Sequence, residues 1–492
     1  MVYAKPVALL AATFSIGMGA ASADCPADPV LVRMAHVEDN RFAVAVSAPG
    51  SQGPIDISWR EAEGTRDGQA DFLSDVVFER SDGALVAAEY AGYGTWQLPG
   101  AGDSDGDALW DGYRYTLTAD HDRAVWNIGK EEIAYRFDDG FYFVLQSVLA
   151  VSYGWGDCQF DVRMDLPDGW QAVTPWAEAG EHAFAVSGLN SLIRNLIVLG
   201  PNLEPQTLAL DGLDVVIISE GVFDEARPAF AEVLRRSLAA YTEIFGGVPM
   251  ERYLVAFGED DMNDGGAFAE SFGQRLPAPF REHERLMWAR SLAHESLHAW
   301  IGIAISRNPD AELQWFTEGG TDYLTMKTLY RTELVDANDV IFMIEGQIRR
   351  FLLGRIQSGP VSLAEAGENK QENRTLVYGG GALFHLLLDA RMTELHGGGS
   401  YEAALRSLYE ADDRRYSQAR MLAALDARSD GAASEILAML NGPFDPFGLL
   451  AEVDTTGLAT AAFGPDEILV RFAAQGCAGS RDAACMPDFL SR

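Results

Sequence analysis

Residues 292–300 read "LAHESLHAW", and His294-Glu295-Ser296-Leu297-His298 is the stretch on which the reading turns. The flanking segment "REHERLMWARSLAHESLHAWIGIAI" contains no Pro, and its first Gly is Gly302. Leu286, Met287, Ala289, Leu292, Ala293 and Leu297 fall at helical spacing. The pattern predicts a helix over 281–304. Positions four apart lie on one helical face, one turn above the other. His294 and His298 can therefore grip one zinc ion. Glu295 stands about 100° around the axis. From there it reaches an activated water without being a ligand, the place of a general base.

A catalytic zinc needs a third protein ligand and an open position. Downstream, "LQWFTEGGTDYLTM" places 19 residues between His298 and Glu318, enough for a loop and a return. Glu318 opens an apolar helix bearing Leu324 and Leu329, and supplies the third ligand. Asp322 follows one turn later. Metal-bound histidines usually donate their second ring N–H to a carboxylate, and Asp322 fits that role.

The whole chain has 492 residues, room for two or three domains with sizeable cores. Hydrophobic residues make up 48% of it, which excludes a disordered chain. Lys and Arg number 37 against 73 Asp and Glu, a net charge of -36. Such a field repels nucleic acid and anionic lipid, so neither is expected as a partner.

The N-terminus carries Lys5, an apolar or small run over 7–20, and Ala21-Ser22-Ala23 as an A-x-A site. This reads as an export signal over 1–23, too short to span a bilayer. No later stretch offers a span, and a periplasmic or secreted protein is expected. The four cysteines that remain, Cys25, Cys158, Cys477 and Cys485, are an even set suited to two disulfides. Three connectivities exist. The short loop between Cys477 and Cys485 favours that local pair, leaving Cys25 with Cys158. Asp103, Asp105, Asp107 and Asp111 have calcium-loop spacing, but Ala108 and Arg114 replace the Gly and Glu such a loop needs, so a solvated loop is expected.

Along the chain the expected class is α+β. Residues 24–224 read as an N-terminal β-sandwich-like domain, from runs such as "RFAVAVSA", "YRYTLTA", "AVWNI", "GFYFVLQSVLAVSY" and "DVVIIS". Residues 225–445 read as mainly helical, with one strand at "RYLVAFG". A helix opens at "ARPAFAEVLRRSLAAYTEIFG" and ends at Gly246-Gly247. Further helices are expected over 281–304, 318–334, 337–354, 379–395, 400–411 and 417–440. Residues 446–492 form a short C-terminal extension.

"HESLHAW" followed by "WFTEGGTDY" resembles the gluzincin metallopeptidases, and within them the glycyl aminopeptidase family. "EIFGGVPMERYLVAF", "LVYGGGALFHLLLDARM", "DLPDGWQAVTPW" and "LIRNLIVLG" resemble further stretches of that family. The resemblance covers roughly residues 160–445. It implies a thermolysin-like catalytic domain behind a β domain, zinc on His294, His298 and Glu318, and Glu295 as base. It also implies Tyr378 as donor to the tetrahedral oxyanion, a role a phenol can fill. The family's Gly-Gly-x-Glu strand faces substrate. Here it reads "DGGAFAESF", so Gly265 and Gly266 are present, Phe268 takes the glutamate's place, and Glu270 is the nearest acid. Family members often carry a PDZ domain, for which the residues after 445 are too few.

The expected activity is hydrolysis of peptide bonds in a peptide or protein substrate by an exported zinc aminopeptidase. A zinc endopeptidase on the same scaffold and a non-catalytic zinc-containing binding protein are the alternatives.

Overall fold

The computed structural model describes residues 25–100, 109–307, 311–462, 464, 467–472 and 485–491. The expected leader over 1–23, the loop acids Asp103, Asp105 and Asp107, and Cys477 lie outside the described residues.

The N-terminal part is built on two sheets. Strand Arg41–Ser51 alternates buried and exposed, with Phe42, Val44, Val46 and Ala48 inward. That period of two is the signature of a sheet with one wet face. It lies near the middle of an eight-stranded sheet, between strands Val30–Glu38 and Trp110–Thr118. A second, four-stranded sheet runs Tyr135–Phe137, Gly140–Val144, Leu196–Pro201, Trp170–Val173. Phe141, Phe143, Ile197 and Leu199 share one core with Phe42 and Val44, so the two sheets pack face to face. A disulfide joins Cys25 to Cys158 and ties the start of the described chain to the strand Gln159–Asp165. Cys485 is also disulfide-bonded. Asp111, the described member of the acidic loop, accepts from the Gly50 N–H at 2.9 Å.

The other face of the four-stranded sheet is buried too. Tyr135, Tyr142 and Val198 pack against Val216, Ile218, Leu254 and Ala256 of a third sheet. This explains why "GFYFV" is apolar throughout rather than alternating: both its faces are dry.

The third sheet has five strands: β1 (Gln206–Leu210), β2 (Leu213–Ser219), β3 (Arg252–Glu259), β4 (Asp264–Ala267) and β5 (Ser271–Leu276). Its order is β1-β2-β3-β5-β4. Here the architecture differs from the expectation that "DVVIIS" belongs with the sandwich. β2 pairs parallel with β3, through the helix α1 (Arg227–Phe245) as crossover. Alternation along a strand tells which face is dry, not which strand lies beside it.

The remaining helices form the bulk of residues 285–455. They include α2 (Arg285–Leu297), α3 (Gln314–Arg331), α4 (Ala337–Ser358) and α5 (Arg374–His396). α2 is shorter than its apolar pattern: it ends at Leu297, and the chain continues in turns to Gly302, whose φ is 116°. The helix expected over 417–440 is two helices, Gln418–Ser429 and Ala432–Asn441. They are broken where Asp430 and Gly431 take φ of 53° and 90°. The segment after 445 adds a helix, Pro446–Thr455, and a hairpin, Leu458–Ala462 with Ile468–Phe472. Val470 donates its N–H to Glu345 on α4 at 2.8 Å, which seats the hairpin on the helical body. Among the described residues no helix is long and apolar enough to cross a membrane.

α3 and α5 cross at unusually close range. A Cβ built on Gly319 would fall 2.2 Å from the Gly381 carbonyl carbon, and one on Gly381 would fall 1.9 Å from the Trp315 carbonyl oxygen. Only hydrogen at both positions permits the contact.

Candidate metal centre

α2 and α3 pack side by side, and their facing turns carry the three residues picked from the sequence. One ligand atom each from His294, His298 and Glu318 lies within 4.8 Å of the others. Glu318 Oε2 is 3.7 Å from His294 Nε2 and 3.6 Å from His298 Nε2. Bonds of about 2.0–2.1 Å at the tetrahedral angle separate ligand atoms by roughly 3.3 Å, so the spacing suits zinc with small adjustments. The two imidazole rings stand nearly perpendicular, centroids 4.9 Å apart.

The second nitrogens are held from behind. His294 Nδ1 lies 2.9 Å from Asp322 Oδ1, and His298 Nδ1 lies 3.0 Å from the Ile301 carbonyl. Both contacts favour the tautomer that turns a bare Nε2 toward the ion. Asp322 is buried, and accepts from Arg290 at 2.8 Å, Gln347 at 2.8 Å and Arg350 at 3.2 Å. Burial alone would raise its pKa, but Arg290, His294 and Arg350 together hold it well below the ordinary carboxylate value. Glu318 Oε1 is engaged by Lys370 Nζ at 2.5 Å, leaving the other oxygen to face the histidines.

The charge of the pocket favours a cation. Burial acts to lower the pKa of His294, yet Asp322 and Glu318 outweigh it and hold the imidazole up at about 10. Glu295 sits at the edge of the group, Oε2 3.9 Å from His298 Nε2. Its pKa is raised, first by burial, against the opposing pull of His294 and His298. Tyr378 is on α5, inside the helix rather than before it, and its ring lies parallel to His294 at 6.3 Å. Burial, then Glu318 and Glu295, push its hydroxyl pKa up, so it stays protonated and a donor.

The glycine strand is placed beside the group. β4 is the edge strand of the third sheet, and a Cβ on Gly265 would approach Glu295 Cγ to 3.3 Å. Glu270 does not face this space. Its carboxylate accepts from Ser191 Oγ at 2.6 Å and Asn195 Nδ2 at 2.9 Å, and it lines neither cavity at the site. The reason is that Glu270 falls between β4 and β5, where the turn carries it toward the sandwich.

Other acids lie against this strand. Glu131 and Glu132, on a short turn before the strand Tyr135–Phe137, come up against β4. A Cβ on Gly266 would lie 3.0 Å from Glu131 Cγ and 3.9 Å from Glu132 Cγ. Glu131 Oε2 is buried and makes no hydrogen bond. Burial, then Asp264, Glu132 and Glu295, push the Glu131 pKa up to about 8. Nothing in the sequence marks Glu131, which is far from the motif and joins it only through the fold.

No family model and no curated protein matches the sequence. Solved structures do match its fold. A crystal structure of an aminopeptidase N family protein from Idiomarina loihiensis superposes with a TM-score of 0.72 at 15% identity, covering 88% of this chain and 79% of that one. An M1 zinc metallopeptidase from Deinococcus radiodurans superposes with a TM-score of 0.55 at 15% identity, covering 85% and 94%. A variant of the Deinococcus enzyme bound to a Tyr-Ser-Ala substrate gives 0.54 at 16%, covering 85% and 94%. The arrangement of sheets and helices is thus that of M1-like aminopeptidases. The likeness is one of fold, and the glycyl aminopeptidase affiliation is not distinguished by it.

Proposed function

We propose that this chain is an exported zinc metallopeptidase acting as an aminopeptidase. The observation that carries the reading is the convergence of His294, His298 and Glu318, flanked by Glu295 and Tyr378. The fold likeness to M1 zinc metallopeptidases supports it.

His294, His298 and Glu318 would hold the zinc, with Asp322 and the Ile301 carbonyl fixing the rings. A zinc ion held there supplies Lewis-acid polarisation of a carbonyl and makes water more acidic. Glu295 takes the proton from the attacking water and returns it to the leaving amine. Its raised pKa narrows the gap to the groups it exchanges with. Tyr378 donates to the oxygen that becomes negative as the carbonyl turns tetrahedral. The edge strand β4 offers backbone to an extended peptide. Glu131 and Glu132 accept the substrate's ammonium group, the role that Phe268 and Glu270 leave open. The Cys25–Cys158 disulfide supports an oxidising compartment.

The test is a digest of one peptide series, free and acetylated at the N-terminus, by zinc-loaded protein with a chelator control. Release of single N-terminal residues from the free peptides only is expected. Cleavage of both at equal rates would make the enzyme an endopeptidase. No cleavage of either with zinc bound would leave a binding protein.

A further inference from the structure

Two cavities meet at Glu295. The smaller, about 450 Å³, includes Phe268, Arg194 and Lys370. A Cβ on Gly266 would meet Phe268 at 3.5 Å as well as Glu131 at 3.0 Å, so the acidic pair belongs to that side. The larger, about 740 Å³, opens on the side of His294 and Tyr378. A peptide held by its amine near Glu131 therefore sends its leaving portion into the larger cavity.

That cavity is basic where the chain would arrive. Arg290, Arg350 and Arg374 all line it. Asp322 is shared by Arg290, Arg350 and His294, one carboxylate among three groups. Arg374 has no carboxylate partner among the described residues; its guanidinium lies 5.7 Å from the Tyr378 ring centroid. Arg350 and Lys370 stand at 5.9 and 5.5 Å from the same ring. Arg374 also occupies the first turn of α5, where no acidic residue is present. A cation there meets the positive end of the helix dipole, an unfavourable placement within the protein alone. Of the cavity's other acids, Glu284 pairs with Arg281 at 3.0 Å, and Asp261 precedes β4 in the chain. Three large apolar side chains on the rim are open to solvent: Met262 at 71%, Met287 at 60% and Phe342 at 54%. Two guanidinium groups and one ammonium group crowding one phenol in a chain of net charge -36 are not a solvated face of average composition.

Resting on the aminopeptidase reading, we propose that this cavity is a carboxylate-binding subsite for the leaving portion of the substrate. Arg374 and Arg350 receive the carboxylate, and the apolar rim covers the side chain beside it. The substrates it fits are short peptides whose C-terminal carboxylate, or an acidic side chain just beyond the cleaved bond, reaches those two guanidinium groups.

Titration calorimetry on the zinc-loaded Glu295→Gln protein tests this without turnover. The probes are Leu-Ala-Phe, its C-terminal amide, and the amides of Leu-Asp-Phe and Leu-Asn-Phe. Binding about tenfold tighter for the free acid than for its amide is expected, as for a charge-assisted pair. The same advantage for the Asp over the Asn amide would assign the subsite to an acidic side chain instead. Adding Arg374→Gln should erase the advantage while sparing the neutral amide, and Arg374→Lys should restore part of it. Equal affinity for all four probes would overturn the proposal, as would equal weakening of all four by Arg374→Gln. Hydrolysis by the parent protein is read separately. Its absence would sink the peptidase reading while leaving the calorimetric preference to be judged alone.

Discussion

Nδ1 of His294 lies 2.9 Å from Oδ1 of Asp322, joining the first histidine on α2 to an acid one turn beyond Glu318 on α3. The contact fixes the ring's tautomer and couples the two helices at the metal group. Asp322→Asn should therefore weaken zinc binding by about 10–100-fold while the protein still folds. Competition with a chromogenic chelator measures this. Parent-like zinc affinity would reduce Asp322 to an anchor for Arg290 and Arg350.

Glu295 contributes no atom to the group of three. Glu295→Gln should keep a full complement of zinc and lose activity by about 10²–10⁴-fold. Zinc assay beside peptide hydrolysis reads both, and loss of the metal itself would point to a structural part for this side chain.

Tyr378→Phe removes only a hydroxyl. A fall in kcat of about 10²–10³-fold is expected, with zinc content unchanged, since an oxyanion donor acts in the transition state. A change confined to KM would argue that the hydroxyl touches the ground-state substrate instead.

Glu131 titrates near 8 in the fold against an ordinary 4.5. Between those values the folded protein binds the proton more tightly than the unfolded chain. The parent should then lose stability as pH rises across that window, at about 1.4 kcal/mol for each pKa unit of difference as an upper bound. Glu131→Gln lacks the titration. Its stability relative to the parent should increase from pH 4.5 to 8 and level off above. Scanning calorimetry across that range decides, and a difference that does not vary with pH contradicts the burial of a bare carboxylate.

The Cys25–Cys158 bridge closes a loop with a sequence separation of 133. Cys25→Ser should cost about 2–4 kcal/mol, and reduction of the parent should cost at least as much, because Cys485 is disulfide-bonded too. Urea unfolding with and without reductant checks it.

How much of this was legible in the chain itself differs by element. His294, His298, Glu318 and Asp322 were readable because helical spacing places i and i+4 on one face, and a loop of the right length brings the helices together. Tyr378 needed the family resemblance, since one tyrosine on an apolar helix has no spacing signal. Gly265 and Gly266 lie beside Glu295 and Glu131, while Glu270 turns toward Ser191 and Asn195. Glu131 was invisible, because its place beside Gly266 exists only once the sandwich docks on the third sheet. Arg350 and Arg374 were hidden for the same reason, as they come from two helices whose packing no local pattern encodes. The sheet membership of "DVVIIS" was missed because pairing partners are a nonlocal choice.

The hydrogen-only contact between Gly319 and Gly381 has a consequence for how the site can change. Glu318 precedes one glycine, and Tyr378 lies three residues before the other, so both are carried on a seam where the two backbones touch with no side chain between them. A methyl added at either point would have to push the two helices apart at the turns that carry Glu318 and Tyr378. Variation in what the protein accepts would then arise along the walls, at β4 and around Arg374, while the seam itself tolerates almost none.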